Sequence, residues 1–290
     1  MTRCALLELL GLALLTCGGC SHTLGAGGDA GRRDGSSHDL GGQDASFDAA
    51  VCDDPFTTVT QPAAAPPFSG TVFIHPGMLT DSDPTSFVSL TYVGVAARTM
   101  FDRRTETFNS VIAHVFDARF GATVSVEIQV NPEFTAEQAE TEARFYATAV
   151  GRLPAFLFRD LRTMWIHAGH FLFGGGNENL LIHTVQGAEY ASDGYLEEAL
   201  LHEATHTSLD AYHATTARWQ EAQRADGVAL STYGRDFPER EDVAETLGPY
   251  LAVRFWSDRL PAATVALIEQ SIPNRITYFD CLGLSVAPVP

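Results

Sequence analysis

The residues best suited to chemistry lie in one short segment, His202-Glu203-Ala204-Thr205-His206. On a helix, residues four apart share a face, so His202 and His206 can present two imidazoles to one ion. Glu203 is rotated by about 100° from His202 yet stays close enough to reach a water held at that ion. Two imidazoles and a carboxylate with one open position suit zinc. The segment therefore predicts metal-assisted hydrolysis with Glu203 as general base.

These residues must be positioned by a helix, and the flanking sequence predicts one from Tyr195 to about Leu209, preceded by Gly194. Glu197 and Glu198 are expected to cap or solvate its start. The apolar residues on this helix suit a buried active-site helix, and they would also suit any core helix. A chance match to HExxH has a probability of roughly 2% in a chain of this composition, which favours the chemical interpretation.

A third ligand could come from the pattern HExxHxxGxxH, but this sequence does not fit it. Leu209 stands at the glycine position, Tyr212 stands at the histidine position, and His213 is one residue late. That scheme also needs a later methionine, and Met164 is the last one in the chain.

A glutamate from a later helix is the other source of a third ligand. The stretch Glu241-Asp242-Val243-Ala244-Glu245 allows Glu241 to bind the metal. Glu245, one turn later, could then accept a hydrogen bond from a ligating imidazole. Glu239 is an alternative ligand, and Glu241 could instead be a surface charge. Asp210, one turn beyond His206, is expected to form a local hydrogen bond and not to bind the metal.

The two motifs together resemble those of the gluzincins, the thermolysin-like clan of zinc peptidases. A narrower similarity is to the family of the anthrax lethal factor catalytic domain, in which Ser-Tyr-Gly-Arg shortly precedes Glu-x-x-Ala-Glu. Here Ser231-Thr232-Tyr233-Gly234-Arg235 precedes Glu241–Glu245, with Thr232 added and a gap one residue longer before the glutamate. The resemblance covers about residues 195–256.

This resemblance implies a zincin-like metallopeptidase domain that binds Zn²⁺ and cleaves a peptide or protein substrate. It matches His202, His206 and Glu241 to the zinc ligands, Glu203 to the general base, and Tyr233 to a tyrosine that assists the transition state. Alternatively, Tyr233 is a loop aromatic that packs on the core. Two other functions stay open: a non-catalytic surface lipoprotein that keeps the fold for binding, and hydrolysis of a substrate other than a peptide.

The charge balance argues against several function classes. The chain carries 36 acidic and 18 basic residues, a formal net charge of −18, and all 18 basic residues are arginine. Phosphate backbones should repel such a chain, so we expect no nucleic-acid partner and a mild preference for basic substrates. Without lysine, P-loop, kinase and pyridoxal phosphate chemistry are disfavoured. The run Gly174-Gly175-Gly176 is therefore interpreted as a tight connection between two strands.

The N-terminal residues predict export and lipidation. A positive start, a short apolar run and small residues over 1–19 are typical of a secretory signal. The following cysteine resembles that of a bacterial lipoprotein signal, with Cys20 favoured over Cys17 as the lipidated residue. This predicts a membrane-anchored protein of the cell envelope, facing the periplasm or exterior; an ordinary signal peptide and a secreted protein is the alternative.

The composition then predicts a tether followed by one domain. A flexible tether is expected over residues 20–66, because residues 21 to about 50 are rich in Gly, Asp, Ser and Ala with almost no large apolar side chain, and Pro62, Pro66 and Pro67 close the region. The catalytic domain is expected over 67–290. Cutting the chain before Cys20 leaves Cys52 and Cys281 near the two ends of the folded part, where they could form a disulfide.

The order of predicted elements indicates an α+β fold, with a mixed sheet early and active-site helices late. Strands are predicted at 71–75, 122–130, 163–166 and 180–185, and helices at 135–150, 195–209, 215–225, 239–256 and 262–271. Pro249 could kink or split the fourth helix. The 180–185 strand could hold substrate by edge pairing, while its His183 is expected to be a core or surface residue.

Overall fold

The structure, a computed structural model, describes residues 55–290. The expected signal peptide, the first part of the tether, and Cys17, Cys20 and Cys52 lie outside these residues. Thr57 and Val59, in the last part of the expected tether, hydrogen-bond to Asn274 and Ala225 and so pack on the folded part. Within 55–290, no helix has the length and hydropathy required to cross a membrane.

A mixed six-stranded sheet forms one layer of the fold, in the order β1-β2-β3-β4-β6-β5. The first three strands are antiparallel, β3, β4 and β6 are parallel, and β5 returns antiparallel to β6 at the edge. The strands are β1 (Phe87–Asp102), β2 (Thr107–Phe120), β3 (Val124–Val130), β4 (Thr163–His167), β5 (Gly174–Gly176) and β6 (Asn179–His183).

The helices follow the sheet in sequence, apart from the first. They are α1 (Ala136–Val150), α2 (Thr184–Asp193), α3 (Leu196–Ser208), α4 (Asp210–His213), α5 (Ala217–Asp226), α6 (Thr232–Asp236), α7 (Asp242–Phe255), α8 (Ala262–Ser271) and α9 (Pro273–Cys281). This arrangement confirms an α+β fold with a mixed sheet early and helices late. Helix α7 contains Pro249 and is not split by it.

The main core lies between one face of the sheet and helices α1, α3 and α7. Met164, Ile166, Leu180 and Ile182 of the central parallel strands are fully buried there. Helix α1 begins with the expected Thr135, whose side chain accepts from Gln138 N in a capping box. Helix α3 packs against this core and against β5, which places it under the sheet edge.

A long β-hairpin, β1–β2, was not predicted from the sequence. Register shifts at Phe87/Ser89 and Tyr92/Gly94 interrupt the two-residue alternation that would reveal a strand. The hairpin also covers the second face of the sheet. Strand β1 contacts β4 although β2 and β3 lie between them in the sheet order. The hairpin tip, residues 102–107, therefore reaches the carboxyl ends of the parallel strands.

Two strand predictions were wrong. Residues 71–75 are extended but form no strand, because their backbone N–H groups donate to side chains: Val72 to Glu245, and Ile74 and His75 to Glu198. Glu198 is thus buried and holds this segment instead of capping α3. The glycine run is itself a strand, and residues 177–178, both at positive φ, form the turn to β6.

Candidate metal centre

Helix α3 presents His202 and His206 one turn apart on its less buried side, where their side chains are 13% and 14% exposed. Its other side is fixed in the core by Leu200, Leu201 and Ala204, each at most 1% exposed. Gly194, at φ +79°, ends α2 in the left-handed conformation and lets the chain turn into α3. The two imidazole Nε2 atoms lie 3.1 Å apart.

Glu241 supplies a third donor atom from the position that precedes α7. Its Oε2 lies 3.2 Å from His206 Nε2 and 3.7 Å from His202 Nε2. Donor atoms of a tetrahedral ion with bonds of about 2.05 Å stand about 3.3 Å apart. The buried group His202, His206 and Glu241 could therefore hold a metal ion.

The other ligands considered do not reach this group. Glu239 is exposed, while Glu241 is 5% exposed and faces the imidazoles. His213 is fully buried and its Nδ1 lies 2.7 Å from the hydroxyl of Tyr278. The sequence argument against a third histidine therefore agrees with the structure.

The far nitrogens of both imidazoles face carboxylates. His206 Nδ1 lies 2.6 Å from Asp210 Oδ2, which is the local hydrogen bond expected for Asp210. His202 Nδ1 faces Glu245 Oε1 at 3.8 Å, which is longer than a hydrogen bond. The other oxygen of Glu245 accepts from Val72 N at 2.9 Å. Such partners fix the tautomer and orientation of a ligating imidazole.

The electrostatics of the group favour an ionised carboxylate. Burial raises the pKa of Glu241, but hydrogen bonds to His202 and His206 outweigh burial and hold that pKa well below its usual range. Burial lowers the pKa of His206, while hydrogen bonds to Asp210 and Glu241 raise it to about 10. The same balance raises the pKa of His202. A cation bound here would take the place of the protons shared by these groups.

Two further groups border the donor atoms. Glu203 is partly exposed and its carboxylate makes no hydrogen bond to any residue of 55–290. Tyr233 donates from its hydroxyl to Glu241 Oε1 at 3.0 Å. It lies on α6, which Ser231 caps by accepting from Gly234 N. Tyr233 also packs on Phe237, with ring centroids 5.2 Å apart.

A buried ion cluster fixes the start of α7, where Glu241 lies. Arg275 of α9 bonds Asp242 at 2.8 Å and Asp226 at 2.9 Å, and all three side chains are at most 3% exposed. Sequence reasoning missed this cluster. Asp242 and Arg275 are 33 positions apart, and no local pattern connects them.

The expectation that residues 180–185 offer an edge to substrate is wrong, because β6 is an inner strand: it pairs with β4 along its length and with β5 over 179–181, and α2 begins at Thr184. The edge of the sheet is β5, whose Gly175 lies against the backbone of Glu203. His183 is a core residue, as expected. It stacks on His167, with centroids 5.4 Å apart, and its Nδ1 lies 3.2 Å from Ala168 O.

Cys281 is disulfide-bonded. The pairing predicted for it, with Cys52, stays a prediction because Cys52 lies outside the described residues. The lipidation predicted at Cys20 or Cys17 falls outside them too.

Comparison with known proteins gives no match at three levels: no family model, no curated protein and no solved structure matches the chain.

Proposed function

We propose that this protein is a zinc-dependent peptidase with a zincin-like fold. One observation carries the proposal: three donor atoms, from His202, His206 and Glu241, converge within 4.8 Å of one another. Glu203, on the same helix, lies beside them with a free carboxylate. A closed structural site would need a fourth protein ligand, and no fourth His, Cys, Asp or Glu within 55–290 belongs to the group.

Zinc is the proposed ion because of the donor set. Two neutral imidazoles and one carboxylate suit Zn²⁺, whereas Mg²⁺ and Ca²⁺ favour oxygen ligands. His202 and His206 would bind through Nε2 and Glu241 through Oε2. When bound, zinc supplies Lewis acidity that makes water nucleophilic near neutral pH and polarises a carbonyl group.

The remaining catalytic and substrate-binding roles are assigned to residues of the chain. Glu203 accepts the proton of the attacking water and delivers it to the leaving amine. The Tyr233 hydroxyl, 3.0 Å from Glu241 Oε1, can turn to donate a hydrogen bond to the developing oxyanion. The edge strand β5 pairs with an extended peptide and holds its backbone beside Glu203.

The proposal is tested by zinc content and peptidase activity measured on the same samples. The wild-type chain should contain one zinc and cleave members of a broad peptide library. Glu203→Gln should keep the zinc and abolish turnover, and Glu241→Ala should lose both. Glu239→Ala is the matched control, because Glu239 is exposed and two residues away, and it should behave like the wild type.

Each outcome selects a function. Zinc without cleavage in the wild type would favour the non-catalytic binding protein. Activity retained in Glu203→Gln would contradict the mechanism. Absence of zinc would indicate that the HExxH match on this helix arose by chance.

The cell-envelope location is a separate part of the proposal. Lipidation at Cys20 predicts that Cys20→Ser abolishes membrane retention in a lipidating host, whereas Cys17→Ser leaves it unchanged. The opposite result would assign the anchor to Cys17, and a wild type that is not retained at the membrane would favour the secreted form.

A further inference from the structure

The tip of the β1–β2 hairpin places an arginine beside the edge strand. A Cβ atom at Gly174 of β5 would lie 2.8 Å from Arg103 Nη2. Arg103 is partly exposed and, within residues 55–290, forms neither an ion pair nor a hydrogen bond. The next residue, Arg104, bonds Asp102 at 2.9 Å and Glu133 at 2.7 Å. The tip is therefore anchored while the guanidinium of Arg103 stays available.

The two faces of β5 differ in what they contact. Gly175 faces α3, because a Cβ there would overlap the Glu203 carbonyl. Gly174 faces the opposite side, where its register partner Leu181 and the Arg103 guanidinium lie. A peptide paired along the outer edge of β5 shares this alternation. Its side chains that point away from α3 therefore lie on the same side as Arg103.

The placement of Arg103 relative to Glu203 follows from two adjacent glycines. Arg103 lies over Gly174, and the next residue, Gly175, lies against the backbone of Glu203. Arg103 is therefore a cation beside the edge strand in a chain whose formal net charge is −18.

We propose that Arg103 is a specificity-determining residue that binds a carboxylate of a peptide paired with β5. This inference rests on the proposed peptidase function. The carboxylate belongs to an acidic side chain or to the C-terminus of the substrate, and a planar guanidinium binds either in the same way. The favoured position lies one or two residues from the scissile bond, because Gly174 adjoins Gly175, which contacts Glu203. The positive charge of Arg103 favours an acidic group at this position, in contrast to the mild preference for basic substrates expected from the net charge.

The test uses the zinc-loaded full chain and peptides that carry Glu, Gln or Lys at each position near the scissile bond. A second peptide set ends in a free carboxylate or an amide, which distinguishes the two carboxylate sources. Wild type is compared with Arg103→Gln and Arg103→Glu. Arg162→Gln is the matched control: Arg162 is exposed and precedes β4, at the opposite end of that strand from Ala168, to which Arg104 donates.

We expect Arg103→Gln to lower kcat/KM for the carboxylate peptide about tenfold, as for the loss of a hydrogen bond to a charged group. Cleavage of the Gln peptide and zinc content should not change, and Arg103→Glu should shift the preference to Lys. An unchanged preference for carboxylate in Arg103→Gln, or an equal loss on all peptides, would overturn this inference while leaving the peptidase intact. A wild type that cleaves no peptide would overturn the peptidase function, and the inference with it.

Discussion

Gly175 lies directly against the backbone carbonyl of Glu203, so closely that a Cβ atom there would overlap that carbonyl. Strand β5 and helix α3 meet at this point. The contact sets the height of the sheet edge above the helix that carries both histidines, and therefore the depth of the cleft between them.

Gly175→Ala should push β5 away from α3. Overpacking of this kind costs about 1–3 kcal/mol of stability, and we expect the loss of kcat/KM to exceed what unfolding explains. Gly248→Ala in α7 is the control, because its Cβ would meet Leu201 Cδ2 at an ordinary 3.6 Å. That change should be neutral or stabilising, since alanine favours a helix interior. Full activity in Gly175→Ala would contradict the close contact.

The helices that carry the site could be predicted because their signals are local. HExxH sets two histidines one turn apart, and a Thr135 cap with Gln138 marks the start of α1. The later glutamate motif likewise placed Glu241 beside them. The strand prediction at 71–75 failed because it depends on nonlocal contacts. The segment has strand composition, but its N–H groups donate to carboxylates of α3 and α7 instead of pairing with a neighbouring strand. Only the assembled fold shows such partners.

The ion pairs of Arg275 are also nonlocal contacts, and they lead to a prediction about stability. Arg275→Met leaves Asp226 and Asp242 buried without their cation, which should cost about 3–5 kcal/mol of stability. Because Asp242 adjoins Glu241, zinc affinity should fall as well. Arg254→Met is the control: its pair with Asp280 is partly exposed, at 36% and 40%, and such pairs contribute about 0–1 kcal/mol. Urea unfolding with and without a chelator measures both effects.

Stability should fall in mild acid because of His213. Burial lowers the pKa of His213 from 6.5 to about 4. A depressed folded-state pKa gives stability that is fully present above the unfolded value and lost as pH falls towards the folded value. The window is therefore pH 6.5 to 4, and one such group contributes at most about 3 kcal/mol across it.

The measurement is the free energy of urea unfolding of zinc-free protein at several pH values. His213→Gln should flatten the curve between pH 6.5 and 4 relative to wild type. His167 is buried, and burial lowers its pKa to about 4 as well, so part of the slope should persist in His213→Gln. An identical slope in His213→Gln and wild type would contradict this assignment.

Removal of the Tyr233 hydroxyl oxygen distinguishes a catalytic role of this residue from a packing role. Its ring packs on Phe237, and its hydroxyl donates to Glu241 Oε1. Tyr233→Phe keeps the ring contact and removes only the donor. If the hydroxyl stabilises the oxyanion, kcat should fall by about 10²–10³-fold while KM, zinc content and unfolding free energy stay near wild type. If the residue only packs, Tyr233→Phe should retain full activity and Tyr233→Ala should lose stability. Kinetics and unfolding of both variants therefore decide between the two roles left open by the sequence.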